Sequence, residues 1–283
     1  MSDHGDLGRL DISFPHPARV YDAWLGGKDN FAADRAAAEV GLAAFPGVIQ
    51  TVRANRAFLE RAVRYLAGEG MRGFLDIGTG LPSANNTHEV AQSVAPHSSV
   101  VYVDNDPIVL AHARALLTSE GPGTTEYIDA DLRDPGKILG EAALLLDFSE
   151  PLAVMLIGIM HLIADRDRPY EIVATLLDAV PPGSYLAMSH PASDLHPEEM
   201  AELARTWNEQ ARETERGTFR GYSEVARFFD GLDVVAPGVV QISKWRPRTE
   251  PEADAPAAAW GAVARKPLRR AHWWPPACEP PGQ

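Results

Sequence analysis

The glycine turn within residues 74–80, FLDIGTG, is the segment best suited to bind a ligand. A short apolar run leads into Gly78 and Gly80, and glycines at a strand end let a ligand approach the backbone without meeting a Cβ. The next apolar run, VYVD, ends in Asp104. A carboxylate there can accept hydrogen bonds from both hydroxyls of a ribose. The spacing predicts a nucleoside site at the carboxyl edge of a parallel sheet.

Two details indicate which nucleoside binds. A nicotinamide dinucleotide would need a third glycine, where Ser83 or Ala84 stands. It would also need backbone amides at the helix start, where Pro82 removes a donor. Asp76 lies inside the turn and would repel a pyrophosphate. S-adenosylmethionine is cationic and has no phosphate, so the turn favours it as the cofactor.

Apolar runs that alternate with helical patterns predict the fold. Such strands, separated by helices, imply a parallel sheet covered on both faces. The predicted strands are 73–77, 100–103, 124–128, 152–159, 184–188, 232–235, 239–242 and 260–264. The predicted helices are 31–44, 52–66, 108–117, 170–179, 198–214 and 223–229. We expect a doubly wound α/β domain at 71–267, an N-terminal helical lid at 1–70 and a flexible proline-rich tail at 268–283.

The sequence resembles the class I S-adenosylmethionine-dependent methyltransferases over residues 70–190. The family's acid-x-Gly-x-Gly pattern matches residues 76–80, its ribose-binding acid matches Asp104, and its acid near the adenine amino group matches Asp131. The phrases PARVYD (17–22), LGGKDN (25–30), RANR (53–56) and VDNDP (103–107) resemble an uncharacterised actinobacterial group of such enzymes. The resemblance implies a Rossmann-like sheet of seven strands with N-terminal helices and a helical insertion.

The resemblance also implies a set of cofactor-binding residues. They come from the turn, the strand ends and the N-terminal segment: Asp76, Gly78, Thr79, Gly80, Asp104, Asn105, Asp131, Leu132, Gly158, Asp29, Asn30 and Arg53. The guanidinium of Arg53 would bind the cofactor's carboxylate. The loop that carries Asp29 and Asn30 would fold over the cofactor and exclude water.

Several of these side chains also have purely structural interpretations. Asp104 could cap the following helix, although Asp106 is available for that role. Asp131 could shape a turn with the acidic residues around it. The pair at 29–30 could cap the next helix, and Arg53 could be an ordinary surface arginine.

Two residues are candidates for handling the acceptor's proton. His161 follows the most apolar strand, where an acceptor would meet the methyl group, and a neutral imidazole could take a proton there. The alternative is a histidine hydrogen-bonded within the sheet rim. Tyr21 could reach the acceptor from the N-terminal helices, and His190 is a further candidate. In-line methyl transfer mainly needs alignment and a dry site, so a base is required only for a protonated acceptor.

Composition limits the partners. The formal net charge of −13 argues against nucleic-acid binding. We therefore expect a small-molecule acceptor and leave a homodimer open. The single cysteine, Cys278, and the short apolar stretch at 151–164 predict a cytoplasmic protein without a membrane span. His88 and Glu89 lack a second set of zinc ligands, so we expect no metal.

Two functions remain open from the sequence. One is a methyltransferase that acts in line on a small molecule, and the other is a non-catalytic regulatory protein that binds S-adenosylmethionine. A cavity beside the methyl position would favour the enzyme, and a filled one would favour the regulator. Four aromatic residues would either line an acceptor pocket or pack the helices onto the domain: Trp24, Trp207, Tyr222 and Phe228.

Overall fold

The computed structural model describes residues 11–116 and 121–268. Within these ranges the chain forms one sheet of eight strands. The strands are β1 Gly73–Ile77, β2 Ser99–Asp104, β3 Thr125–Asp129, β4 Leu152–Ile157, β5 Tyr185–Pro191, β6 Asp233–Val234, β7 Val240–Gln241 and β8 Ala259–Arg265. The tail predicted at 268–283 lies outside the described residues except for Leu268, as does the start of the N-terminal segment.

The strand order places a ligand site at the centre of the sheet. The order is β3-β2-β1-β4-β5-β8-β6, and β7 also pairs with β8. Strands β1 to β5 are parallel, whereas β8 runs antiparallel to β5. The direction of winding reverses between β1 and β4, and in open α/β sheets ligands bind at the carboxyl ends beside that reversal. The doubly wound prediction is confirmed, with an eighth strand because residues 240–241 add a short pairing to β8.

Helices lie on both faces of this sheet. They are α1 Pro17–Leu25, α2 Ala32–Ala44, α3 Val48–Gly68, α4 Thr87–Val94, α5 Pro107–Leu116, α6 Pro135–Ala142, α7 Pro169–Ala179, α8 Pro197–Gln210, α9 Tyr222–Arg227 and α10 Glu250–Asp254. None of the helices in the described ranges is long and apolar enough to cross a membrane. The predicted strand 152–159 stops at Ile157 because Gly158 turns the chain with a φ of 68°.

Each face of the sheet has its own hydrophobic core. On one face, Phe58 and Leu66 of α3 pack with Phe74 of β1. On the other, Ile138 of α6 and Leu176 of α7 pack with β4. Burial on both faces explains why the strands read as nearly continuous apolar runs rather than as alternating ones.

The helix α3 is fixed to the sheet by a buried arginine. Arg61 is 5% exposed, and its Nε and Nη2 donate to the carbonyls of Trp245 and Ile242 over 2.8 and 2.7 Å. The carboxylate of Glu252 lies 3.5 Å from Arg61 Nη1. Because these bonds join α3 to the turn after β7, they fix the helix whose first turns reach the strand ends.

Replacing Arg61 with methionine should lower the free energy of unfolding by about 3 kcal/mol, because two buried carbonyls and a carboxylate lose their partner. Urea denaturation followed by circular dichroism measures this. Arg64→Met is the matched control, since that side chain is 47% exposed on the same helix and its pair with Glu60 should contribute less than about 1 kcal/mol. Equal losses in the two variants would contradict the assignment.

Candidate active site

The glycine turn after β1 is held in a left-handed conformation. Gly78 and Gly80 have φ angles of 73° and 68°, which side chains with a Cβ rarely adopt. A Cβ at Gly78 would lie 2.4 Å from Cγ1 of Ile159, whereas one at Gly80 would meet only Ala18, at 3.9 Å. Gly80 therefore leaves open space where a ligand can approach the backbone.

The carboxylate of Asp104 organises this turn. Its Oδ2 accepts from the amide of Gly80 over 2.9 Å, and its Oδ1 accepts from the amides of Asn105 and Asp106. Burial raises the pKa of Asp104. The capping role falls to Asp106 instead, since its Oδ1 accepts from the amide of Ile108 in the first turn of α5. Asp104 lines the cavity beside the turn.

Asp76 and Arg56 lie at the other end of the turn. Asp76 is buried, accepts from Thr87 Oγ1 over 2.6 Å, and has its pKa raised to about 6 by burial. Arg56 lines the same cavity and donates through Nη2 to the carbonyls of Ala84 and Asn85. The site thus offers a carboxylate and a guanidinium, which match the ammonium and carboxylate groups of an amino acid.

Arg53 is exposed and does not line the cavity, so the structure does not bring it to the predicted site. The reason is helical periodicity. The residues of α3 that face the cavity follow a spacing of three and four: Val48, Thr51, Val52, Asn55, Arg56 and Leu59. Position 53 falls outside this stripe, whereas Arg56 lies on it.

The end of β3 supplies the opposite side of the cavity. Asp131 and Leu132 line it together with Asn105, whose Nδ2 donates to Asp131 Oδ2 over 3.1 Å. Asp131 also shapes a turn, because its Oδ1 accepts from the amide of Arg133. A role in shaping the turn is therefore compatible with a position of Asp131 at the cavity.

Asp29 and Asn30 do not line the cavity. Both bind Asp22 instead, whose Oδ2 accepts from the amide of Asp29 and from Nδ2 of Asn30. Neither residue caps α2, since Asp34 accepts from the amide of Phe31 and fulfils that role. The loop at 29–30 is thus built around the carboxylate of Asp22, and this carboxylate, rather than Asp29 or Asn30, lines the cavity.

A buried ionic cluster was not foreseen from the sequence. His16 Nδ1 lies 3.0 Å from Asp106 Oδ2, and the His16 amide donates to Asp34 Oδ1. The guanidinium of Arg19 lies 3.8 Å from Asp34 and 3.6 Å from Asp106, and all three charged side chains are nearly inaccessible. Burial opposes protonation of His16, but Asp106 and Glu215 raise its pKa overall. The cluster joins α1 and α2 to the turn that carries Asp104.

His161 lies in a 3-10 turn, Met160–Leu162, at the cavity. Its Nδ1 is buried without a partner among the described residues, and its ring makes an edge contact with Phe219 at 5.9 Å. Burial and the nearby charge of Arg220 lower the pKa of His161 to about 4. The imidazole is therefore neutral at physiological pH.

His190 belongs to a structural network rather than to the reacting centre. Its Nδ1 donates to the carbonyl of Pro191 and its Nε2 accepts from Nη1 of Arg220, while burial lowers its pKa to about 3. Arg220 is 1% exposed and also donates to the carbonyls of Met160 and Ile163. These bonds hold the turn that carries His161 from both sides.

Tyr21 lines the cavity, but its hydroxyl is engaged. It donates to the carbonyl of Val52 over 3.0 Å and accepts from Nδ2 of Asn55. Asn55 in turn accepts from Oγ of Ser189. These hydrogen bonds join α1 and α3 to β5, and they already engage the phenolic proton of Tyr21.

The cavity extends from these polar strand ends to an apolar region under α8. Of the predicted aromatic residues, Trp24 and Trp207 line it. Tyr222 packs on Trp260 instead, and Phe228 packs on Tyr170. No group of three or more metal-ligating side chains is arranged around a metal site in residues 11–116 and 121–268.

Comparison with protein families decides the assignment. A profile of the S-adenosyl methyltransferase family matches residues 3–267. The chain belongs to this family. The methyltransferase therefore uses S-adenosylmethionine. We call the part of the cavity beside the glycine turn and the ends of β2 and β3 its polar half, because Asp76, Asp104 and Asp131 line it. Gly158, Thr79 and the other turn residues also line that cavity.

Two solved structures are similar to nearly the whole methyltransferase. A DUF574 family protein from Streptomyces avermitilis has 44% identity and a TM-score of 0.87, over 92% of this chain and 100% of that chain. A protein from Thermobifida fusca described as a candidate methyltransferase has 42% identity and a TM-score of 0.85, over 94% of this chain and 100% of that chain. Both support the resemblance to an actinobacterial group. No curated protein gives a significant match.

We expect Arg56→Met to weaken S-adenosylhomocysteine binding by about 10- to 100-fold, because a charged hydrogen-bond donor is removed from the cavity wall. Arg53→Met is the matched control and should change the affinity by less than about twofold, because its side chain is exposed. Isothermal titration calorimetry measures both. A larger loss in the Arg53 variant would restore the sequence-based assignment.

Lowering the pH should reduce the free energy of unfolding of the wild-type protein more than that of the His161→Asn variant. The unfolded chain binds a proton at this histidine near its ordinary pKa of 6.5, but the folded chain does so only near 4. Between these values protons favour the unfolded state, so this contribution to stability falls as the pH falls. Urea denaturation at about pH 7 and about pH 5 tests this. The same pH dependence in both proteins would show that His161 titrates normally.

Proposed function

We propose that this methyltransferase transfers a methyl group to a small organic acceptor bound beside His161, which takes the acceptor's proton. The observation that carries the proposal is the continuity of one cavity. It runs from Asp104 at the end of β2, past Gly158 and His161, to Phe219 beyond the sheet edge. A cofactor and an acceptor can therefore meet at the carboxyl end of β4.

The polar half of the cavity would hold the cofactor. A carboxylate has about four acceptor sites, and backbone amides occupy three of those on Asp104. One site on Oδ2 remains for a ribose hydroxyl, fewer than the two hydroxyls expected from the sequence. Asn105 and Asp131 would lie beside the adenine, and Asp76 and Arg56 beside the amino-acid end.

Positioning and exclusion of water would account for most of the catalysis. When bound, S-adenosylmethionine supplies an activated methyl group with a neutral thioether as leaving group. The chain's task is to orient the acceptor and keep the site dry, which α1, α3 and α8 accomplish by covering the strand ends. His161 is neutral and can accept a proton as the acceptor reacts.

The alternative of a non-catalytic regulator predicts side chains that fill the space beside the methyl position. The cavity instead continues past His161 to residues of α8 such as Met200 and Leu203. This space supports an enzyme with room for a second molecule.

Calorimetric titration with S-adenosylmethionine, S-adenosylhomocysteine and NAD tests whether the cavity binds the proposed cofactor. We expect micromolar binding of both sulfur ligands, no binding of NAD, and a loss of about 10- to 100-fold in Asp104→Ala. Asp129→Ala is the control, because this residue is the register partner of Asp104 on β3 yet is exposed and outside the cavity. If neither sulfur ligand bound, or if NAD bound tightly, the proposal would fail.

A further inference from the structure

The part of the cavity under α8 is built almost entirely from apolar side chains. We call it the acceptor half and define it by Phe45, Val48, Met200, Leu203, Trp207 and Phe219. Four of these belong to one buried cluster, against which Phe219 packs. Phe219 contacts the ring of His161, so the imidazole forms one end of the acceptor half.

Four polar side chains around the acceptor half have their hydrogen-bonding groups engaged. The hydroxyls of Tyr21 and Ser189 donate to Val52 and Asn55, respectively. The indole of Trp207 donates to the carbonyl of Glu215 over 2.9 Å. Both ring nitrogens of His190 are paired, as described above. In contrast, Nδ1 of His161 is buried and has no hydrogen-bond partner among residues 11–116 and 121–268.

The charged side chains that line the cavity outside the acceptor half have partners of their own. Asp22 accepts from Nδ2 of Asn30, and Arg133, which also donates to the carbonyl of Leu162, pairs with Asp131 and Asp167. Asp76 and Asp104 lie at the glycine turn. Glu215 faces His16, with 4.0 Å between Oε1 and Nε2, and His16 is paired with Asp106 just beyond Asp104. In the described part of the chain, the six side chains that define the acceptor half are thus uncharged, and the guanidinium of Arg220 near His161 is already paired with Asp165. A charged group there would lose its hydration without a partner, which is strongly unfavourable.

We propose that the acceptor is an uncharged aromatic molecule and that its methylated group is a phenolic hydroxyl hydrogen-bonded to His161. This inference rests on the proposed function and deepens it. Aromatic rings suit a wall of Phe45, Trp207 and Phe219, because ring pairs add to the free energy of area burial. A single polar group at one end of such a wall fixes the orientation of a ligand that carries one hydroxyl.

The weak basicity of His161 favours a phenol over an aliphatic alcohol. With a pKa near 4, the imidazole is a poor base, and a phenol, with a pKa of about 10, releases its proton far more readily than an alkanol does. In the reaction, the hydroxyl oxygen forms a bond to the methyl carbon while the S–CH₃ bond breaks and its electron pair stays on sulfur. The hydroxyl proton passes to His161. The products are a methyl ether, the neutral thioether and an imidazolium, so the single positive charge is conserved.

Three naphthalene probes of matched shape test the inference by binding. The protein saturated with S-adenosylhomocysteine is titrated by calorimetry with 2-naphthol, 2-naphthoate and 2-naphthylmethylammonium. We expect 2-naphthol to bind at least about 10-fold more tightly than either ion, because only the neutral probe avoids an unpaired charge. Equal or tighter binding of an ion, or failure of 2-naphthol to bind, would overturn the inference.

A variant that places a positive charge in the acceptor half provides a second test by the same calorimetric titrations. Leu203→Lys adds a cation to the wall of the acceptor half, and its long apolar stem can still pack there. We expect its preference to shift at least about 10-fold toward 2-naphthoate, with unchanged affinity for S-adenosylhomocysteine. An unchanged preference would show that the probes bind elsewhere. If this variant does not fold, the wild-type comparison of the three probes still decides the question.

An assay of methyl transfer from labelled S-adenosylmethionine distinguishes failure of the proposed function from failure of the proposed acceptor class. We expect methylation of 2-naphthol, a rate at least about 100-fold lower for decahydro-2-naphthol, and a similar loss in His161→Asn with unchanged cofactor affinity. If the wild-type protein did not bind S-adenosylhomocysteine, the proposed function itself would be refuted. Retained binding together with methylation of 2-naphthoate instead of 2-naphthol would refute only the acceptor class.

Discussion

The hydrogen bond between the amide of Gly80 and the carboxylate of Asp104 is the constraint on which the site depends. It joins the ends of β1 and β2 across the glycine turn and holds that turn in its left-handed shape. The same carboxylate fixes the first backbone amides after β2, so one side chain sets the path of two loops. Because the turn is already ordered in this way, a ligand meets a preformed surface rather than one that must be organised on binding.

The sequence was most informative where structure is local or periodic. Strands buried on both faces are apolar throughout, which made β1 to β5 recognisable, and glycine is required wherever the chain must turn with a positive φ. Asp76, Asp104 and Asp131 could be assigned to the cavity because each lies at or just beyond the carboxyl end of a strand whose position in the sheet was predictable. For these residues, the residue type, the position at a strand end and the position at the carboxyl edge of the sheet all indicated the same site.

The sequence could not show where a side chain lies when its surroundings are set by distant packing. Arg53 and Arg56 are equivalent in residue type, and only the orientation of α3 on the sheet decides which one faces the cavity. His190 resembled a catalytic candidate until Arg220, 30 residues away in sequence, was seen to occupy its Nε2. Asp34 likewise meets His16 and Arg19 only after α1 and α2 have packed together.

The wall formed by α1 is tied to its neighbours by the buried ionic cluster and by side-chain hydrogen bonds. His16 and Arg19 at its start belong to the buried ionic cluster, Tyr21 is bonded to α3, and Trp24 donates to the carbonyl of Ala38 in α2. Partial fraying would leave Asp34 and Asp106 buried without counter-charges, so intermediate positions of the helix are unfavourable. Displacing α1 from the cavity therefore requires the loss of this ionic cluster and of the hydrogen bonds of Tyr21 and Trp24.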